Sequence, residues 1–503
     1  MSFSIEVVES HLAVLVFVVP TIFSLIVFAF GRFSRWLREG AAYLGLIVTF
    51  LISVSICQKV LSGYVLSAWN KTIYVDGLSA LMEIIGSFMG LLIVLYSSQY
   101  LKKLHPPEKI TPERLSLYYG LLLLFLGTMN WTCATNNIFM LYVSLEATTL
   151  ATAFLITFYW GKRPAEAGYK YLLLVTVGIT FALFGCLLVY SASLPHLSGH
   201  EAQLLTSMGK AAGKIPIGIV LLASAFFIAG FGTKAGLMPF HAWLPDAHAE
   251  APSPISALLS GVVIKLGVYA LARTITAFSP GTNAVVIFIA IIASASMFIG
   301  ICLALVQDDL KRMLAYSSVS QIAYVIEGIA LGTYLGIYGG LFHLLNHTII
   351  KGLLFLAAGA LMYMTGTRSI QELQKTPKKM PITLFCFFIG ALAISGMPPF
   401  NGFLSKLTLF LAIAQRGLLW AAVIAILTSL LTVACFVRAA YRIFWSKSAM
   451  QLATNPGTRE VPFSMWLGMG VLALLCIVIG IYPNLVHPIL DSATQCILKI
   501  LGG

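Results

Sequence analysis

Seven ionisable side chains stand where an apolar sequence should carry none. Glu146 (LYVSLEATTL), Lys234 (GFGTKAGLMPF), Lys265 (GVVIKLGVYAL), the series His343, His347 and Lys351 (HLLNHTIIK) and Lys406 (NGFLSKLTLF) each sit in a run that fits inside a bilayer. A charge at that depth costs about 3 kcal/mol on insertion scales and is by default functional. Lysine, histidine and glutamate share one chemistry. Each takes up and releases a proton, and burial or a neighbouring charge tunes how readily it does so. The chemistry on offer is proton transfer.

Spacing sharpens this reading. His343, His347 and Lys351 follow i, i+4, i+8, which is one face of a helix. Two histidines at that spacing can also chelate a metal. No HExxH motif is present, however, and the third group on the stripe is a lysine, which repels a cation. A proton relay is the better reading. Glu146 and Lys234 form the candidate ion pair. At an effective dielectric near 20, a pair at about 4 Å interacts by roughly 4 kcal/mol. Moving one charge against about 150 mV costs roughly 3.5 kcal/mol. Making or breaking one such pair is therefore enough to move a proton against a membrane potential.

Lys234 and Lys265 flank a polar, proline-rich stretch with Pro239, His241, Pro245, Asp246, His248 and Glu250. It reads as a hairpin between two spans. His241, Asp246 and His248, with Glu327 of a later span, are candidates for proton access or coupling. Asp76 and Glu83 open the third apolar run. A quinone-binding role would need a headgroup site, for which only His241 and His248 offer themselves.

The elements that position these groups follow from composition. The chain has 503 residues, 59% of them hydrophobic and only 10% charged. A soluble domain carries roughly 25% charged residues. The mean hydropathy is +0.93. This is an all-α polytopic membrane protein. Its net charge of +13 sits in short loops such as Arg32–Arg38 and Lys162–Lys170, where it sets topology and does not bind nucleic acid. The eight cysteines include no CxxC pair, so no iron–sulfur, zinc or disulfide framework is expected, and no cofactor in this chain. The first run follows Glu6 and Glu9, not a basic leader, and reads as a retained helix.

About fourteen spans are expected, near 11–31, 41–62, 76–98, 115–132, 135–159, 167–191, 215–237, 254–276, 283–304, 311–331, 335–363, 382–413, 418–445 and 463–482. Basic residues follow the odd-numbered spans, which places those loops in the cytoplasm and both termini on the outer side of a cell (inner) membrane. Residues 192–214 read as a plain surface loop, and the tail after Pro483 as a surface-lying segment. Pro239 and the Pro398-Pro399 pair break spans seven and twelve, each beside a lysine. Lys234-AGLMPF-His241 and Ile394-SGMPPF-Asn401 are faint internal repeats. They align segments 4–8 with segments 9–13, and five segments per unit require the two units to be inverted. The expected domains are 1–114, the first repeat 115–280, the second repeat 281–446, and 447–503 with the last helix and tail.

KAGLMPFHAWLPDAHAEAPSPISALLSG, VVIKLGVYALAR, DDLKRMLAYSSVSQ and HLLNHTIIKGLLFLAAGAL together resemble the antiporter-like subunits of the complex I superfamily. That family includes pumping subunits of NADH–quinone oxidoreductase (chain M-type among them), Mrp cation/proton antiporter subunits, and membrane subunits of energy-converting hydrogenases and formate hydrogenlyase. The resemblance spans segments 3 to 13. It implies fourteen helices, two inverted five-helix repeats and broken helices seven and twelve. It also implies that Glu146 is the fifth-helix glutamate and Lys234 its seventh-helix partner. Lys265 is then the central lysine, His343 and His347 the eleventh-helix relay with Lys351 beside them, and Lys406 the twelfth-helix lysine. Asp308, Asp309, Lys311 and Arg312 match a loop with a structural role. The implied partners are further antiporter-like membrane subunits and a hydrophilic arm with Fe–S/NiFe or flavin centres. The implied ion is H⁺, with Na⁺ as the second candidate. APSPISALLSGVVIK and the end after the fourteenth span point to a hydrogenase or formate hydrogenlyase-type complex. A subunit of a Mrp-type Na⁺/H⁺ antiporter is the alternative.

Overall fold

Hydrocarbon offers no partner to a peptide group, so an apolar run crosses it only as a helix or a closed barrel. This chain uses helices. The computed structural model describes residues 6–102, 110–278, 282–375, 380–445 and 460–502. The basic loops expected near 103–109, 376–379 and 446–459 lie outside the described residues. In chain order come α1 (Leu12–Phe30), α2 (Arg35–Leu61), α3 (Gly77–Tyr100), α4 (Pro112–Ala134), α5 (Ile138–Ile156), α6 (Lys162–Ser193), the short α7 (Leu205–Ala211), α8 (Ile217–Ala235) and α9 (Trp243–Glu250). Next is α10 (Ser253–Leu258), which widens into a π-turn at Leu259–Val263 and continues as α11 (Ile264–Phe278). Then follow α12 (Asn283–Leu305), α13 (Leu310–Ala330), α14 (Tyr334–Thr365), α15 (Ile370–Lys375), α16 (Pro381–Ser395), α17 (Asn401–Gln415) and α18 (Leu419–Ala440). The last two are α19 (Phe463–Ile481) and α20 (His487–Gly502). A small sheet joins β1 (Glu6–Glu9) in parallel to β2 (Tyr64–Ala68), which pairs antiparallel with β3 (Ile73–Val75).

Twelve stretches among the described residues are long and apolar enough to cross a membrane. Two expected spans fall outside that set for different reasons. Segment 311–331 is the unbroken helix α13, made more polar by Lys311, Arg312, three serines, Gln321 and Glu327. Segment 382–413 is broken into α16 and α17, of 15 residues each. The breaks expected in spans seven and twelve both occur. Gly236 (φ 80°) ends α8 and Gly396 (φ 77°) ends α16, each in the left-handed region that glycine adopts without strain.

Three expectations fail. The stretch after Pro239 is no exposed hairpin. It forms α9, with Trp243, Leu244, Ala247 and His248 buried, and Trp243 Nε1 donates to the Thr233 carbonyl at 2.8 Å. Burial of the large indole and satisfaction of a carbonyl freed by the break override the polar composition. Residues 192–214 are not a plain loop. They contain α7, whose Leu205, Met208 and Ala211 are buried, and Asn136 and Asn137 bond to Thr206 and Gln203. The tail is α20, which packs on α3 and α14 with Leu490, Ala493 and Ile497 buried.

Side-chain caps fix where several helices begin. Asp76 accepts from the Leu78 and Ser79 N–H groups, Asn137 from Phe139 and Met140, and Asp309 from Lys311 and Arg312. Asp76 also takes a forked pair from Arg273 at 2.6 Å on both arms, fastening the start of α3 to the end of α11. All eight cysteines are free thiols. At Gly267 on α11 the backbone of α8 comes so close that a β-carbon would lie 2.5 Å from the Ala235 nitrogen. Gly267→Val therefore has to push α8 and α11 apart. It should destabilise the chain by about 1–3 kcal/mol, as overpacking does, measured as a lower melting temperature in detergent. An unchanged melting temperature would refute this close approach.

Candidate functional site

A lysine inside an apolar bundle needs acceptors for up to three N–H groups. Here the acceptors come from helix ends and breaks and from side-chain hydroxyls of neighbouring helices. Lys234 is in the last turn of α8, where the helix dipole favours a cation. It is fully buried, and its Nζ donates to Thr149 Oγ1 (2.7 Å), Thr148 Oγ1 (3.1 Å) and Tyr171 OH (3.2 Å). Lys265 follows the π-turn, where the ladder is loosened. Its Nζ donates to the Ser260 carbonyl and is hydrogen-bonded to His347 Nδ1 at 2.6 Å. Lys406 of α17 reaches back to α16, donating to the Ile394 carbonyl at 2.8 Å and to Ser429 at 3.2 Å. Lys351 donates to the Leu314 carbonyl at 2.9 Å and to Ser317.

From Lys265 a polar line runs through α14 to α17. The rings of His347 and His343 lie 6.2 Å apart. His343 Nδ1 is bonded to Ser405 Oγ at 3.0 Å, and the Tyr324 ring is 5.7 Å from His343. Lys406 Nζ stands 5.6 Å from the centre of that same Tyr324 ring. Both histidines are fully buried, and each keeps its Nε2 without a partner. Each ring has one engaged and one free nitrogen. The structure thus brings Lys265, His347, His343 and Lys406 into one constellation. Lys351 flanks it from the α13 side.

Glu146 and Lys234 do not form the expected ion pair. Glu146 is half-buried, and its Oε2 accepts from Thr176 at 3.3 Å while Oε1 has no partner. The two charges are near enough to interact, but the hydroxyls of Thr148 and Thr149 hold the ammonium instead. Asp246 accepts from Lys170 at 2.6 Å and Arg312 at 2.7 Å, tying α9 to α6 and α13. It borders a polar cavity of about 230 Å³ that Arg163, Glu250 and Arg368 also line. His241 is half-buried, 6.2 Å from the Tyr316 ring. His248 is buried and stacked on Phe355 at 4.5 Å, with neither nitrogen bonded. Glu327 is buried with both oxygens unpartnered. Neither it nor His248 makes a hydrogen bond to the polar line through a side-chain nitrogen or oxygen.

Sequence reasoning missed the hydroxyls of Thr148, Thr149, Tyr171, Ser317 and Ser429 that solvate the lysines, and that of Ser405, which bonds His343. Their signal was present as serine and threonine pairs inside apolar runs. It also left Lys311 in a surface loop. Lys311 is buried, and it donates to the Ala251 carbonyl and, at 3.4 Å, to that of Ala249. No cluster of three or more histidine, cysteine, aspartate or glutamate residues that could hold a metal occurs among the described residues.

Residues 135–432 match the family model for the NADH:quinone oxidoreductase/Mrp antiporter transmembrane region, and residues 68–107 match that for the N-terminus of complex I chain 5. The chain is 31% identical to NADH-quinone oxidoreductase subunit N of Desulforudis audaxviator, over 94% of this chain and 96% of that one. It is 31% identical to a hydrogenase-4 component F homolog of Methylacidiphilum infernorum, over 70% of this chain and 75% of that one. It is 32% identical to a Na(+)/H(+) antiporter protein of Alkalihalophilus pseudofirmus, over 85% of this chain but only 55% of that longer one. Among solved structures, a chain of an archaeal membrane-bound sulfane sulfur reductase superposes with a TM-score of 0.86 at 27% identity, covering 98% of this chain and 99% of that one.

Replacing His347 by leucine removes one of two partners of the buried Lys265 ammonium. A lost hydrogen bond to a charged group costs about 1.5–3 kcal/mol, so less folded protein should be recovered from membranes. His347→Gln, which keeps an acceptor, should restore much of the yield. Equal yields from His347→Leu and wild type would contradict the assignment.

Proposed function

The chain belongs to the NADH:quinone oxidoreductase/Mrp antiporter family, and from that premise we propose that it is a proton-translocating, antiporter-like membrane subunit of a redox-driven assembly. Redox chemistry takes place in other chains, in a hydrophilic arm carrying Fe–S/NiFe or flavin centres. This chain holds no cofactor and moves H⁺ along Glu146, Lys234, Lys265, His347, His343 and Lys406, with Lys351 beside the line. The observation that carries the reading is the polar line from Lys265, bonded to His347, past His343, whose ring lies 6.2 Å from that of His347 and which bonds Ser405, to the Tyr324 ring beside Lys406.

Glu146 and Lys234 form the switch. With Lys234 held by three hydroxyls the switch is open. Closing it on Glu146 adds a charge pair of roughly 4 kcal/mol, enough to retain a proton until the pair parts again. Asp246, His241, His248 and Glu327 serve access and coupling, with Asp246 beside the polar cavity as the mouth. Residues 115–280 and 281–446 act as two inverted repeats whose broken helices present Lys234 and Lys406. The membrane is the cell (inner) membrane, both termini are on its outer side, and further antiporter-like subunits are neighbours. A hydrogenase or formate hydrogenlyase-type parent is favoured by the relative that is a hydrogenase-4 component F homolog, and an NADH–quinone oxidoreductase-type parent by the subunit N relative. The second reading is a subunit of a Mrp-type Na⁺/H⁺ antiporter, supported by the Na(+)/H(+) antiporter relative.

Reconstitution of the complex in proteoliposomes tests the proposal. Lys234→Ala and Glu146→Ala should each abolish proton pumping while the partner subunits still assemble. Pumping that persists in both variants overturns the reading. Sodium-dependent pumping without redox turnover establishes the antiporter alternative in its place.

A further inference from the structure

One buried carboxylate takes no part in the line described. Glu83 on α3 has no exposed surface, and neither of its oxygens has a hydrogen-bond partner. Its helix runs antiparallel to α11, as three contacts show. Asp76 bonds Arg273 at 2.6 Å, Ser79 meets Tyr269 at 3.2 Å, and a β-carbon on Gly86 would lie 3.9 Å from Val262. Each turn forward on α3 is a turn back on α11, so Glu83 is level with Lys265. Lys265, Tyr269 and Arg273 follow i, i+4, i+8 on one face of α11, and Ser79 and Glu83 follow i, i+4 on α3. Two polar faces therefore run side by side, with Glu83 at the depth of the central lysine.

Beyond Glu83, toward the start of α3, this groove is closed. Arg273 grips Asp76 and donates to Tyr269 OH at 3.0 Å, and Tyr269 donates to the Cys133 carbonyl at 2.7 Å. A fixed guanidinium there repels any cation, so the groove is a branch and not a through-route.

We propose that Glu83 is a further proton-transfer residue that exchanges a proton with Lys265. An N–H bond of the Lys265 ammonium breaks, leaving a neutral amine. An O–H bond forms on the Glu83 carboxylate, giving a neutral acid. The net charge is unchanged, and two unpaired charges leave the apolar interior together, which is what makes the exchange favourable. Because neither Glu83 oxygen has a hydrogen-bond partner, the step runs across a bridging water or after the Lys265 ammonium turns from the Ser260 carbonyl. The branch stores the proton while His347 awaits its next one. The inference rests on the proton-translocation reading above.

The test uses the assembled complex in proteoliposomes with two readouts, proton transport and infrared difference spectra during turnover. Glu83→Gln keeps the shape and loses the proton. It should lower transport about a hundredfold or more, in the range of a lost general acid–base group. It should also delete a carboxylic-acid carbonyl band that shifts in D₂O. Glu83→Asp should recover part of the transport and move the band. If Glu83→Gln fails to assemble, Glu83→Asp decides the matter, because an unmoved band overturns the proposal. Wild-type transport in Glu83→Gln also overturns it, provided that Lys234→Ala is silent. Pumping by Lys234→Ala would instead overturn the underlying reading.

Discussion

Five lysine ammonium groups are buried in this bundle, and none has a carboxylate within ion-pair distance among the described residues. That is the constraint on which the architecture depends. Hydrocarbon cannot solvate an ammonium, and a regular helix has no carbonyls to spare. For three of the five the chain supplies acceptors by loosening its own helices. The end of α9 serves Lys311, the π-turn serves Lys265 and the end of α16 serves Lys406, while hydroxyls of α5 and α6 hold Lys234 and the Leu314 carbonyl and Ser317 of α13 hold Lys351. The ends of α9 and α16 also place their cations at the negative end of a helix dipole. The arrangement resembles the half-helix ion sites of secondary transporters.

Solvation by hydroxyls and carbonyls has a functional consequence that pairing with carboxylates would not. A hydroxyl accepts from an ammonium and can donate to an amine. The same surroundings therefore tolerate both protonation states. A tight carboxylate pair would fix the charge and stop transfer. In this light the open Glu146–Lys234 pair is informative. On the proposed reading, one contact that can be made and broken turns a static set of buried bases into a device that responds to its neighbours. The ion pairs that are made sit elsewhere, at Asp76–Arg273 and around Asp246, where they pin helices to one another.

The sequence made the membrane class, the order of spans and the two breaks legible because each rests on local rules. Run length sets spans, and glycine with proline sets breaks. The His343–His347–Lys351 stripe was legible from helical spacing alone. What it hid was long-range. Residues 243–250 look like a loop by composition, yet Trp243 buries against the α8 end and makes them a helix. Lys311 reads as a surface charge, yet its stem carries the ammonium to the carbonyls at the end of α9. Whether Glu146 touches Lys234 depends on three helices packing together, and no pattern within one segment encodes that. Burial energetics alone suggested a pair, and the family resemblance repeated that expectation. The hydroxyls that take its place are read only from the fold.

The most direct measurement of the central claim counts charge moved across the membrane per redox turnover, by electrometry on the reconstituted complex, in wild type and Lys265→Met. Methionine keeps the apolar stem and removes the exchangeable proton at the centre of the line. The account predicts that the charge moved per turnover falls while redox turnover itself continues. An unchanged charge per turnover in Lys265→Met would contradict it.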